Sequence, residues 1–185
     1  MTFRGFIAVD LPRSPALDAL AADLRKASSS LKVVSTDQLH LTLKFLGDVE
    51  EGLVPEIVAI IRKATADVPP FEIRVQGAGA FPNASHMNVI WVGIEGAEPL
   101  AKIAAALDIS LEALGFPRER RPWKAHVTLA RVKGSRDLDA VRRIVESHAA
   151  DPFGTSTVDA VPLKKSILTP QGARYTIVES VGLRG

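Results

Sequence analysis

Two short stretches of this 185-residue chain carry the same residue types in the same order: His40-Leu41-Thr42-Leu43 and His126-Val127-Thr128-Leu129. Each alternates polar with apolar. On a strand, that alternation sends His and Thr to one face and Leu or Val to the other. Two imidazoles with ordinary pKa values near ~6.5 can work as an acid–base pair at neutral pH, one protonated and one neutral. Two threonine hydroxyls can donate hydrogen bonds to oxygens on which negative charge accumulates. The set suits in-line opening of a cyclic phosphodiester. Water loses a proton as it attacks phosphorus, and the leaving alkoxide gains one on the opposite side. That chemistry requires neither a metal nor a covalent intermediate. One His-x-Thr on a strand is ordinarily an exposed polar pair. Two copies in a chain with four histidines carry more weight.

The elements that must hold these residues follow from pattern. Phe3–Val9 is apolar and β-branched, a strand. Ser14-Pro15 is a helix start, with Ser14 as cap and Pro15 in the first position. Leu17, Leu20, Ala21 and Leu24 recur at helical spacing. Leu39–Leu46 is a second strand. Leu53, Ile57, Ile60 and Ile61 mark a second helix, and Phe71–Val75 a third strand, followed by a loop over Gly77–Pro82. The second half begins with a strand at Asn88–Ile94. A helix carrying Leu100, Ile103, Leu107 and Leu111 follows, closed by Gly115. After a basic loop come the strand Ala125–Arg131 and a helix with Leu138, Val141, Ile144 and Val145. Phe153–Val161, Ser166–Thr169 and Tyr175–Val181 read as closing strands. Strand–helix–strand–helix–strand therefore occurs twice. His126 less His40 is an offset of 86, and the same offset lays Val89 on Phe3, Ile103 on Leu17 and Ile144 on Val58. This predicts an internal duplication with pseudo-two-fold symmetry.

Composition removes other classes of chemistry. There is no cysteine, so thiolate nucleophiles, thiolate metal sites and disulfides are excluded. The apolar N-terminal run is too short for a signal segment and ends at Asp10. No stretch approaches the ~18 apolar residues of a spanning helix. The expectation is a soluble, cytoplasmic protein. Gly77-Ala78-Gly79 lacks the Gly-Lys-Ser/Thr of a phosphate-cradling loop, and no His-Glu-x-x-His spacing occurs. A zinc site on the two histidines lacks a motif-linked third ligand, so no cofactor is expected. The formal net charge is only +2, which matters where it is clustered.

One such cluster precedes the second motif: Arg118, Arg120, Arg121 and Lys124, with Trp123 among them. It marks Arg121, Trp123 and Lys124 as candidate RNA contacts. Lys44 shares the parity of His40 and Thr42, which places it on the cleft side as a further candidate contact. Phe45, of opposite parity, is assigned to the core. Arg131 ends the second motif strand and is a candidate phosphate ligand, although its parity points it away from the cleft unless the strand bends. Phe81 and Tyr175 are candidate stacking partners for a base. His86, placed in a loop, and His148, at a helix end, are assigned no catalysis.

At these residues the chain resembles the two-histidine phosphoesterases. Among them it is similar to the bacterial RNA 2′,3′-cyclic phosphodiesterases, also described as 2′-5′ RNA ligases. The likeness runs through Phe6–Pro12, Leu39–Gly47, Phe81-Pro82, Val89–Gly93, His126–Arg131, Ser166–Leu168 and Gly172–Tyr175, nearly the whole chain. It implies a single α+β domain over residues 1–185. Its two interleaved lobes would be pseudo-symmetric, with concave antiparallel sheets flanked by helices and a cleft between them. It implies a monomer that opens RNA 2′,3′-cyclic phosphate ends to 2′-phosphates. His40 would protonate the departing 3′ oxygen and His126 would activate water, with Thr42, Thr128 and Arg131 on the phosphate. The reverse, 2′-5′ ligation, needs the same residues. Ala125 stands where the family usually has Pro, which relaxes the backbone entering the strand and removes no catalytic group. Action on a small cyclic nucleotide and a non-catalytic RNA-binding role are the competing readings.

Overall fold

A computed structural model describes residues 1–170 and 172–184. Strand β1 (Thr2–Asp10) leads into α1 (Pro15–Ala27), where the Ser14 hydroxyl accepts the Leu17 N–H at 3.1 Å and Pro15 opens the first turn. A short strand β2 (Leu31–Val33) follows, then the motif strand β3 (His40–Glu50), α2 (Val54–Thr65) and β4 (Phe71–Asn83). The second half runs β5 (His86–Glu95), α3 (Glu98–Ser110), β6 (His126–Val132) and α4 (Leu138–Ser147). Strands β7 (Pro152–Val158), β8 (Ala160–Thr169) and β9 (Gly172–Gly182) complete it. Gly115 closes the third helical segment in the left-handed conformation, as its position implies.

The strands form two antiparallel sheets of orders β3-β1-β8-β9 and β2-β6-β5-β4-β7. Each sheet takes strands from both halves of the chain. The first half's β4 pairs with β5, and the late strands β8 and β9 extend the sheet of β1 and β3. Motif strands β3 and β6 lie side by side where the sheets meet. Leu41, Leu43, Val127 and Leu129 all enter one hydrophobic core with Leu17, Leu20, Ile57, Leu100 and Leu107 from the helices. Because both strands send these residues into the same core, their His and Thr residues share the opposite, open side.

The expected elements form, with four revisions. Gly77–Pro82 is not a loop but the interior of β4, where glycines admit a neighbour: a Cβ on Gly79 would stand 2.3 Å from the Trp91 ring lying across it. His86 accordingly begins β5. The stretch Phe153–Val161 divides at Asp159 into β7 and β8, and β2 is an additional edge strand. The duplication is present in the ladders, but its offset is not uniform. Ala8 faces Thr42 and Trp91 faces Thr128, so β1 and β5 correspond at 83 residues, 91 less 8. Val89 therefore corresponds to Phe6, not Phe3. Helices α1 and α3, both 13 residues long, begin at 15 and 98 and keep that offset of 83. The three added residues lie between α3 and β6, the segment that carries the basic cluster.

Both motif strands carry a bulge at the same place. The β1–β3 ladder steps from Ile7↔Lys44 to Ala8↔Thr42, leaving Leu43 extra. The β5–β6 ladder steps from Ile90↔Ala130 to Trp91↔Thr128, leaving Leu129 extra. A bulge adds one residue and reverses the facing of everything beyond it. Lys44 is therefore buried, 1% exposed, and is not a cleft contact; Phe45 leaves the core and is 61% exposed. In β6 the same shift buries Ala130 and turns Arg131 outward.

The buried Lys44 ammonium has close partners. It donates to Asp108 Oδ1 at 2.7 Å and to the Pro117 carbonyl at 2.6 Å. Asp108 also accepts the Arg118 guanidinium and the Glu119 amide, each at 2.9 Å. Burial alone would raise the Asp108 carboxyl; the Lys44, Glu119 and Arg118 donors outweigh it and hold the pKa at about 2. This knot ties α3 and the loop before β6 to the bulge of β3. Asp108→Ala removes the close partner of a buried ammonium, leaving it the Pro117 carbonyl and the Glu119 carboxylate at 3.9 Å, and is expected to lower the unfolding free energy by about 3 kcal/mol in urea titrations at pH 7. The depressed carboxyl stabilises the fold above its unfolded pKa near ~3.9, and that stabilisation is lost as pH falls through about 2. The gap between parent and Asp108→Asn should therefore be widest at neutral pH and shrink through that window; a gap independent of pH would refute the charge-based account.

Candidate active site

Each motif histidine is oriented by the carbonyl two residues before it. His40 Nδ1 lies 2.9 Å from the Gln38 carbonyl, and His126 Nδ1 lies 2.9 Å from the Lys124 carbonyl. A carbonyl only accepts, so Nδ1 carries hydrogen in both rings. Nε2 is left as the nitrogen that gains or loses a proton. Both rings are half-buried, as are Thr42 and Thr128 on the same side of their strands.

Aromatic rings fix the imidazoles further. His40 sits 5.0 Å from the Phe6 ring and 4.8 Å from Tyr175, which meets it edge-on. His126 meets the Phe81 ring edge-on at 5.0 Å, and Phe81 packs on Trp91 at 5.2 Å. Gln38 and Lys124 have a second task in common. Gln38 Oε1 accepts the Tyr175 N–H at 3.2 Å, and Lys124 Nζ stands 5.6 Å from the Phe81 centroid. Each residue thus holds an imidazole by its carbonyl and grips, by its side chain, the residue whose ring packs against that imidazole. Gln38 is absent from the residues the sequence singles out, although it lies at the 86-residue offset from Lys124 and the motif repeat points to it.

Charge is distributed unequally between the two histidines. Asp10 stands opposite His40 in the β1–β3 ladder and is ion-paired with the nearly buried Lys164. Burial holds His40 below the ordinary imidazole pKa; the Gln38 carbonyl and Asp10 oppose that lowering, and Lys164 adds to it. Neither Asp10 nor Lys164 is recognisable from spacing, because they meet only when β8 docks on β1.

Of the candidate contacts, Lys124 touches the site, and Arg121 is exposed beside it. Trp123 is reassigned. Its ring is partly buried against the core and its indole N–H donates to the Thr42 carbonyl at 2.9 Å, a strut from the second motif's approach to the first motif's strand. Lys44 is removed, as described above. Arg131 gains, since the bulge turns it to the open face of β6. Arg118 belongs to the Asp108 knot. His148 caps the end of α4 and stacks on Phe153 at 6.2 Å. Among the described residues, no three His, Asp or Glu side chains converge as a metal site, and no helix is long and apolar enough to cross a membrane.

The chain and its fold are similar to those of known proteins. Residues 7–166 match the model of the 2′-5′ RNA ligase superfamily. The chain is 36% identical over 181 residues to the RNA 2′,3′-cyclic phosphodiesterase of Methanothermobacter thermautotrophicus, covering 97% of this chain and 98% of that one. It is 37% identical over 174 residues to the protein of that name from Archaeoglobus fulgidus, covering 93% and 96%. Among solved structures, a Thermus thermophilus protein superposes with a TM-score of 0.77 at 33% identity, covering 98% of each chain. Escherichia coli LigT in complex with 3′-AMP superposes with a TM-score of 0.76 at 23% identity over the whole of both chains, which speaks to the fold. The model match over residues 7–166, with relatives 36–37% identical over nearly the whole chain, makes this chain a member of the 2′-5′ RNA ligase superfamily.

Proposed function

We propose that the protein opens the 2′,3′-cyclic phosphate at an RNA end to a 2′-phosphate, without a metal, using His40 and His126 as acid and base. The observation that carries this reading is the pair of imidazoles with Nδ1 held by equivalent carbonyls, on neighbouring strands, each beside a threonine. Relatives at 36–37% identity bearing the name RNA 2′,3′-cyclic phosphodiesterase support the substrate class. In the reaction His126 Nε2 takes a proton from water as its oxygen attacks phosphorus. The P–O3′ bond breaks, and His40 Nε2 delivers a proton to the departing 3′ oxygen. Thr42, Thr128 and Arg131 hold the non-bridging oxygens as charge builds on them. Arg121 and Lys124 face the RNA. Joining a 5′-hydroxyl end to the cyclic phosphate as a 2′-5′ bond is the same displacement with that hydroxyl in place of water: P–O5′ forms, P–O3′ breaks, and the same two groups move the protons.

The acid must carry a proton, yet burial favours the neutral form of His40 in the free protein. The cyclic phosphate is an anion, and its arrival beside His40 favours the charged imidazole. The donor is therefore charged as the substrate binds.

Hydrolysis of a short RNA ending in a 2′,3′-cyclic phosphate, assayed in EDTA, tests the proposal. Turnover to the 2′-phosphate should persist with chelator and fall by roughly a hundredfold or more in His40→Ala and in His126→Ala. Turnover indifferent to both changes would end the two-histidine reading. The role of each ring is read from pH profiles. Activity is lost as pH rises through the pKa of the acid, so with His40 as acid the alkaline limb of kcat/KM, which reports the free protein, should lie below that of kcat, which reports the complex. If the acidic limb moves instead, His40 is the base.

A further inference from the structure

The open face of β6 continues past the motif to Arg131, whose partner across the ladder on edge strand β2 is Lys32. Paired residues on antiparallel strands point to the same side, with Cβ atoms about 4.5–5.5 Å apart. Their neighbours Leu31, Val33, Ala130 and Val132 pack on the core, so Lys32 and Arg131 project from the opposite face, the face of His126 and Thr128. Both are exposed. Lys133 follows Arg131 by two residues and is exposed too, its amide donating to the Ser30 carbonyl at 2.7 Å. Among the described residues none of these three cations forms an ion pair. Arg131's other ladder neighbour is the apolar Val89. Like charges directly opposed across strands destabilise a sheet unless an anion sits between them. Arg131 stands four ladder steps beyond His126, about 13 Å at ~3.3 Å per residue. Its own side chain spans part of that distance back toward Thr128, whereas Lys32, one strand further out, spans none of it.

We propose that Lys32 binds the internucleotide phosphate one step inside the reacting end, beside an Arg131 that reaches back to the reacting phosphate, so that the strand body of the RNA leaves the site across β6 and β2. This rests on the RNA reading above and adds the direction of the chain and a specificity residue. A lysine on an edge strand also discourages edge-to-edge pairing. That task is met by either sign of charge and does not involve the substrate.

The test measures binding of a labelled trinucleotide ending in a 2′-phosphate, as a function of salt, to the parent and to Lys32→Ala, Lys32→Arg and Lys32→Glu. It also compares kcat/KM for a trinucleotide and a mononucleotide 2′,3′-cyclic phosphate. Loss of one phosphate contact should weaken trinucleotide binding about tenfold in low salt and flatten the slope of log K against log salt by about 0.7. Lys32→Arg should restore both and Lys32→Glu should weaken binding further. The preference for trinucleotide over mononucleotide should narrow by a similar factor in Lys32→Ala. An unchanged salt slope, a neutral Lys32→Glu, or equal losses on both substrates would overturn the proposal. If the parent turned over neither cyclic phosphate, the hydrolytic reading would fail, while the binding arm would still decide the role of Lys32.

Discussion

Leu43 and Leu129 each add one residue that the neighbouring strand does not match, and the site depends on those two insertions. Without them, strict alternation would keep Lys44 beside His40 and Thr42 and would turn Arg131 into the core. With them, one strand face presents His, Thr and then the residue five positions after His, while two successive residues enter the interior. The interior must then accept Lys44 in the first strand and Ala130 in the second. A buried ammonium is tolerable only with a partner of opposite charge. Asp108 supplies that charge, and because it sits on α3 with its other oxygen on Arg118, the bulge becomes tied to the segment that leads into the second motif. Trp123 adds a second tie from the same segment to the carbonyl of Thr42. The spacing of the two motifs is thus held by contacts that begin at one bulge.

The duplicated frame is symmetric, and the side chains on it are not. Five residues after His40 stands Phe45; five after His126 stands Arg131. The half with His40 adds the Asp10–Lys164 pair and Tyr175, and the half with His126 adds Phe81, Trp91 and Lys124. A cyclic phosphate has two unlike sides, one for the incoming oxygen and one for the leaving oxygen. A symmetric pair of imidazoles would serve either orientation equally. On the proposed reading, a guanidinium at one end and a phenyl ring at the other would give the substrate a single favoured direction, and with it distinct roles for two otherwise equivalent rings.

Much of this is legible in the sequence because it is periodic. The helix faces of Leu17, Leu20 and Leu24 and the alternation in both motifs translate directly into burial, and Ser14-Pro15 announces its helix by local chemistry alone. The errors lie where a local rule meets a long-range partner. Strict alternation misplaces Lys44 and Phe45 because a bulge has no signature in the strand that carries it; it is defined by the register of β1. Gly77–Pro82 reads as a loop because glycine ordinarily interrupts strands, yet Gly79 is there to admit Trp91 from β5. Trp123 reads as an RNA contact from its basic neighbours, and its hydrogen bond goes to a residue 81 positions away. The uniform offset of 86 is correct for the motifs and wrong for the strands before them, since three residues are added between α3 and β6.

The burial of His40 carries a consequence for how such a site distinguishes substrate from other ligands. Desolvation by Phe6 and Tyr175 disfavours the imidazolium, and the Lys164 charge acts in the same sense, with Asp10 and the Gln38 carbonyl opposing. On the proposed reading, the proton donor is thus biased toward its neutral form. An anion placed against it opposes that bias, and the reacting phosphate of the proposed reaction is such an anion. An uncharged nucleoside in the same aromatic surroundings would bring no such opposing charge. The same rings that orient the imidazole therefore make its protonation more sensitive to a neighbouring anion. A more exposed histidine would hold its proton more readily at neutral pH and would lose that sensitivity.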